Sequence, residues 1–245
     1  MAKSIKRHDG RRADELRPVV ITPGFVRKAS GSCLIEMGGT RVICTASFVP
    51  GVPEWRVGKG LGWMTAEYGM LPASTGSRKP RPGLKSDGRG VEIQRIIGRV
   101  LRNVIDFAPL GENTIYLDCD VLEADGGTRT AAITGAYVAL SQAVARAAKA
   151  GKCSAKAVSG TVAAVSVGMV DGRAVLDLDY PEDSAAEVDM NVAMLSNGKY
   201  VEIQGSSERT AFDASQLDAM LGLARKGIKR LLEEQKKALQ LRNAE

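Results

Sequence analysis

The sequence predicts a two-lobed α/β chain, and three observations carry that expectation: runs of alternating β-branched residues, three switches to helical periodicity, and enough length for a full core. A chain of 245 residues with 44% apolar content buries about 70% of its unfolded surface as a single domain and needs no disulfide or metal staple. With only 4% aromatics and 27 glycines, that core is expected to rest on closely packed Val, Ile, Leu and Ala.

Taken in order, VVITPGF, GSCLIEMGGTRVICTASFV, GWMTAEYGM and TIYLDCDVL read as strands, with Gly38-Gly39 and Pro50-Gly51 among the turns between them. From Val91 the period lengthens. Ile93, Ile96, Ile97, Val100, Leu101 and Val104 share one helical face, and Arg95, Arg99 and Arg102 share the opposite one. A second helix is expected from Thr130 to Ala150, rich in Ala and stopped by Gly151. TVAAVSVGMV and AVLDLDY then flank Asp171-Gly172, a strong hairpin signal, and an acid-rich loop follows. DMNVAML and KYVEIQGSS pair around Asn197-Gly198, and ASQLDAMLGLARKGIKRLLEEQKKALQ closes the chain as a long amphipathic helix. The result is one domain of two similar ββαβα-like lobes, about 11–150 and 157–240, preceded by an extension over 1–10. Residues 1–15, Gly76 to Asp87 and the last few residues have the composition of disorder.

Charge is unevenly spread. Arg78 to Arg102 holds eight basic residues against Asp87 and Glu92, whereas Asp177 to Asp189 holds six acids and no base. A basic stretch suits phosphates, and clustered carboxylates suit a hard divalent cation; two solvated faces are the alternative. Cys33, Cys44, Cys119 and Cys153 form no C-x-x-C pair and read as thiols in a reducing compartment. No secretory or transit pattern and no long apolar run is present, so a soluble, cytoplasmic protein without membrane contact is expected.

Two segments can carry chemistry. In ADGGTRTAAITGAY, Gly126 and Gly127 allow close backbone approach at a helix mouth, Thr128 can donate, and Arg129 can grip a phosphate. The same residues would also serve as an ordinary turn and N-cap. Arg89 offers a second positive site at the entrance to the other helix. In YPEDSAAEVDMN, Asp183, Glu187 and Asp189 have the spacing of an oxygen-ligated Mg²⁺ or Mn²⁺ site, or else Glu182 and Asp183 cap a helical turn and the rest are solvated. The only histidine is His8, and no Ser or Cys sits in a nucleophile elbow, which argues against histidine acid–base and covalent catalysis.

The runs DELRPV, GVPEW, GWMTAEYGMLP, VEIQRIIGRVLR, LDCDVLEADGGTRTAAITGAYVAL, DLDYPEDSAAEVDMNVAM and EIQGSSE, from about Arg11 to Ala238, resemble the bacterial ribonuclease PH family in order. The resemblance implies an α+β type fold with mixed sheets packed against amphipathic helices. It implies a phosphorolytic 3′-exoribonuclease, a tRNA nucleotidyltransferase that trims tRNA precursors with inorganic phosphate and releases nucleoside diphosphates, with a link to rRNA processing. It places the phosphate site on Arg89, Gly127, Thr128 and Arg129, and the catalytic acids on Asp183, Glu187 and Asp189, which are also the metal neighbourhood for Mg²⁺ or Mn²⁺. RNA contacts fall on Arg78, Lys79 and Arg81, to which the basic helix face adds Arg95 and Arg99, and a homohexamer built as a trimer of dimers is implied. Ala73 stands where relatives often carry Arg, and the loop after it is shorter than in some of them. An inactive ring subunit that threads RNA and a metal-dependent hydrolase are the rival readings. The first would lose the acids or the phosphate arginine, and the second has little use for a phosphate pocket.

Overall fold

The alternating runs of the first half become β1 (Val19–Pro23), β2 (Gly31–Met37), β3 (Thr40–Pro50), β4 (Trp63–Met70) and β5 (Asn113–Glu123) in a computed structural model that describes residues 7–80 and 88–241. They form one sheet of order β1-β2-β3-β5-β4, antiparallel except for the parallel β4–β5 pair. Between β4 and β5 the chain crosses over through α1 (Gly88–Leu101) and the short α2 (Phe107–Leu110), as a parallel pair requires. α1 starts before Val91, which puts Arg89 in its first turn.

The second half gives β6 (Val162–Val170), β7 (Arg173–Leu176), β8 (Val188–Leu195) and β9 (Tyr200–Ser207) in a wholly antiparallel sheet of order β7-β6-β8-β9. Asp171 and Gly172 both take left-handed φ, 50° and 68°, as a two-residue hairpin turn between β6 and β7 demands. The two lobes therefore differ: one sheet is mixed and five-stranded, the other antiparallel and four-stranded, and the expected ββαβα order holds in neither.

α3 (Thr128–Lys149) joins them. Every residue from Thr130 to Leu140 is buried, because one side of the helix packs on β2 and β3 and the other on β6. Small residues permit that approach: a Cβ on Gly135 would lie 2.8 Å from Ile35 and 2.9 Å from the Cys44 sulfur. The terminal α5 (Ala214–Leu241) covers β6 and β7, and a single hydrophobic core runs through both lobes. Cys33, Cys44 and Cys119 are buried free thiols of that core, and Cys153 is half-buried. Among the described residues no helix is long and apolar enough to cross a membrane.

Two expectations are corrected. The N-terminal stretch is ordered from Arg7 onward, because Arg7 and Arg11 bury their guanidinium groups against carboxylates of the second lobe. The AVLDLDY strand ends at Leu176: Asp177 turns to a φ of 56° and is fully buried, so the acid-rich segment leaves the sheet. That segment is also more than a loop, since it contains α4 (Tyr180–Ala185).

Candidate active site

Alternate residues of the acid-rich segment have opposite fates. Asp177 accepts three bonds from Arg17: from its backbone N at 2.8 Å, Nε at 3.0 Å and Nη2 at 2.6 Å. Asp179 is the N-cap of α4, accepting from the Glu182 backbone N at 3.1 Å, and Glu182 returns the bond to the Asp179 N–H, which completes a capping box. Glu182 also pairs with Arg7, and Arg11 lies 3.6 Å from Asp179 and 3.5 Å from Glu182. These three acids are consumed in holding α4 and the N-terminal arm. Glu182 caps the turn, as one of the two sequence readings held; Asp183, which that reading also made a cap, does not.

Asp183, one residue further round α4, and Asp189, at the start of β8, face a cavity of ≈ 500 Å³ instead. Neither carboxylate makes a hydrogen bond or ion pair among the described residues. Burial pushes both above the ordinary carboxylate value, and for Asp189 the charge of Asp183 pushes further, while Arg89 and Arg129 pull both back. Glu187 does not join them: its carboxylate accepts from the Gly172 backbone N at 3.2 Å, at the β6–β7 turn. The third acid whose charge acts on the pair is Glu208, beyond the end of β9. Asn191, two residues along β8 from Asp189 and thus on the same side of the strand, lines the same cavity.

The facing wall is the loop into α3. Gly126 and Gly127 have φ of 75° and 63°, and a Cβ on Gly126 would lie 2.6 Å from the Leu178 carbonyl oxygen, so this loop lies directly on the backbone of the acid-rich segment. Arg17 locks the same junction by donating to the carbonyls of Asp125 and, at 3.5 Å, Gly126. Thr40 holds the loop from β3, accepting from the Asp125 N at 2.9 Å and donating to the Gly126 carbonyl at 2.6 Å. Thr128 bonds the Tyr68 hydroxyl at 2.8 Å. Arg129 donates to the Gln204 side chain on β9, and Gln204 in turn donates to Glu92 on α1 at 2.6 Å, so the two lobes are braced around that arginine. Arg89 completes the wall.

The structure thus brings Arg89, Gly127, Thr128, Arg129, Asp183 and Asp189 to one cavity. Lys79 lines it too, whereas Arg95 and Arg99 lie with Arg102 along a separate groove on the outer face of α1, and Arg99 approaches Glu202 at 3.5 Å. Arg78 is exposed beside Lys79, and Arg81 lies outside the described residues. Gln204, Asn191 and Glu208 were not singled out from sequence. Two are neutral amides inside strands and carry no charge signal, and the third stands alone after a strand.

A cleft lined from both sheets, with arginines and a glycine loop opposite a carboxylate pair, suits an enzyme acting on anionic substrates, and comparison with known proteins identifies which. Residues 15–145 match the family model described as "3′ exoribonuclease family, domain 1", and residues 160–227 match domain 2 of that family. A Ribonuclease PH of Mycolicibacterium gilvum is 57% identical over 239 residues, covering 96% of this chain and 92% of the relative, and one from Mycolicibacterium smegmatis is 58% identical over 237, with the same coverage. Among solved structures, an Archaeoglobus fulgidus exosome with RNA bound to the active site matches with a TM-score of 0.79 at 23% identity, over 94% of this chain and 92% of that one. Rice (Oryza sativa) Rrp46 matches at 0.77 and 16%, over 95% and 100%. These two share the fold.

The chain belongs to the ribonuclease PH family. It is a phosphate-dependent 3′-exoribonuclease, a tRNA nucleotidyltransferase that acts in tRNA processing.

Proposed function

We propose that the cavity between α4 and the α3 loop is where phosphorolysis occurs, with Arg89, Gly127, Thr128 and Arg129 holding inorganic phosphate and Asp183 and Asp189 facing the scissile linkage. The observation that carries this reading is their convergence on one cavity from both lobes. An oxygen of the bound phosphate attacks the terminal phosphorus, the bond to the 3′-oxygen of the preceding ribose breaks, and the last nucleotide leaves as its diphosphate. Two anions must meet for this, so the arginines contribute by offsetting their repulsion, Arg129 with a fork preset by Gln204.

Two carboxylates beside a polyanion are tolerable only with a cation between them. Asp183 and Asp189 fit Mg²⁺ or Mn²⁺, since both face one cavity, the charge of Asp183 opposes ionisation of Asp189, and Mg²⁺ sites commonly use one or two carboxylates with water and substrate phosphate. When bound, such an ion supplies positive charge to the departing oxygen. Glu187, turned to Gly172, is left out of that ligand set.

Arg78, Lys79 and Arg81 are assigned to the RNA strand entering the cavity, and Arg95 and Arg99 to RNA beyond it. A homohexameric ring, a cytoplasmic location and a share in rRNA processing complete the reading, supported by the resemblance to ribonuclease PH. The test is phosphate-dependent release of nucleoside diphosphate from a tailed RNA by wild type, Arg89→Ala and Arg129→Ala. Each variant should raise the phosphate KM by roughly 10- to 100-fold, the value of a hydrogen bond to a charged group, and leave filter-binding of RNA nearly unchanged. An equal loss of RNA affinity would move these arginines to the RNA track.

A further inference from the structure

The cavity continues past its basic waist, and its two chambers differ in chemistry. Arg89, Arg129, Asp183 and Asp189 are shared by both. On one side, toward Glu208 and Arg209, the walls are polar: Ser184, Gln204 and Ser206 line it, and Ala186 is its one apolar side chain. On the other side Met70, Ala124 and Tyr180 add apolar surface among Thr75, Ser77 and Lys79.

Tyr180 is unusual in a chain with so few aromatic residues. It is 64% exposed, it lines the cavity, its ring has no aromatic or cationic neighbour and its hydroxyl makes no hydrogen bond among the described residues. Of the other exposed aromatics, Trp55 is packed against Trp63 and Arg56, and neither Phe25 nor Tyr116 lines the cavity. Yet the Tyr180 backbone is held hard. Asp179 caps the helix that Tyr180 begins, Pro181 follows, and the Tyr180 N–H donates to Asp125 at 3.3 Å. Asp183 lies one helical turn along, on the same side of α4. Across the chamber the flexible Met70 carries Lys79, whose Nζ lies 3.4 Å from the Met70 sulfur.

We infer that Tyr180 is the stacking platform for the base of the 3′-terminal nucleotide, with Met70 as the opposing wall, so that the nucleoside occupies the chamber these two side chains flank. Phosphate then reaches the waist through the polar one. An aromatic face held by a capped helix costs little ordering when a base settles on it, and it accepts any base, as an exonuclease that removes successive nucleotides requires. Lys79, over Met70, is the cation for the strand's backbone on that side. This inference rests on the assignment of the cavity made above.

The test separates the two claims by using probes with and without a base on the full-length protein: ADP and inorganic pyrophosphate, each titrated calorimetrically in Mg²⁺. Wild type should bind both, competitively. Tyr180→Ala should weaken ADP about 10-fold, as loss of one base–aromatic stack does, and leave pyrophosphate unchanged; Tyr180→Phe should bind ADP within about two-fold of wild type. Wild type that binds neither probe would overturn the cavity assignment and this inference with it. With wild-type binding intact, the platform alone is overturned by unchanged ADP affinity in Tyr180→Ala, by equal weakening of both probes, or by Tyr180→Phe binding as weakly as Tyr180→Ala.

Discussion

Two clusters of arginine and carboxylate lie a few residues apart and do opposite work. In the first, Arg7, Arg11 and Arg17 meet Asp177, Asp179 and Glu182, all buried, with the charges paired and backbone groups taking the remaining bonds. In the second, Arg89 and Arg129 share a cavity with Asp183 and Asp189, whose carboxylates meet no hydrogen-bond or ion-pair partner among the described residues. Composition is alike in both. What separates them is closure: a buried carboxylate that meets its arginine directly fixes structure, while a carboxylate that opens on a cavity keeps its field for a ligand.

The comparison breaks most sharply at Arg17. Arg17→Met should cost about 3–5 kcal/mol in urea denaturation, because Asp177 would remain buried without its partner. Removing both charges, as Arg17→Met with Asp177→Leu, should restore a good part of that loss, and a double variant as weak as the single one would mean that the pair acts through something other than charge. Asp183→Asn should do the reverse. The fold should stand, and single-turnover trimming at saturating Mg²⁺ should fall by about 10² or more, as when an electrostatic partner of the transition state is lost. Normal trimming would remove Asp183 from the chemistry, and a melted protein would move it to the first cluster.

The smallest expected effect sharpens the contrast. The Asp189 carboxyl sits above its unfolded value of 3.8, pushed first by burial and then by Asp183. In the window just above that value the folded state therefore binds more protons than the unfolded one, so this group's contribution to stability falls as pH rises through the window. Without divalent cation, Asp189→Asn should flatten that part of the Tm–pH curve and raise neutral-pH stability by under about 1 kcal/mol, since the group is partly open to water. A lower neutral Tm would show that the ionised carboxylate has a partner in the fold.

Periodicity reveals elements more readily than it reveals closure. The strands, α1, α3 and α5 follow from alternation and helical spacing, and the turns at Asp171-Gly172 and Asn197-Gly198 from their residue types. α4 is hidden by its length: six residues give no periodic signal, and only Asp179 with Glu182, spaced as a capping box, announces it. The loop into α3 is readable because Gly-Gly-Thr-Arg at a helix mouth has a chemical meaning by itself. Which acids of the segment face the cavity is not readable, because Asp177 and Glu182 find partners at Arg17 and Arg7, far off in the chain. The same distance explains the misreading of the N-terminal arm, whose charges resemble those of a solvated tail until the second lobe neutralises them.

The bond from Arg17 to Asp177 also ties the site to a late event of folding. It closes a loop of 160 residues, and the entropy of so long a closure is met before any contact rewards it. Because Arg17 also holds the loop into α3, and Gly126 of that loop lies on the backbone at Leu178, the loop takes its final form only once the second lobe has docked. The basic wall of the cavity and its acidic wall are thus set by a single event, the docking of the second lobe on the first.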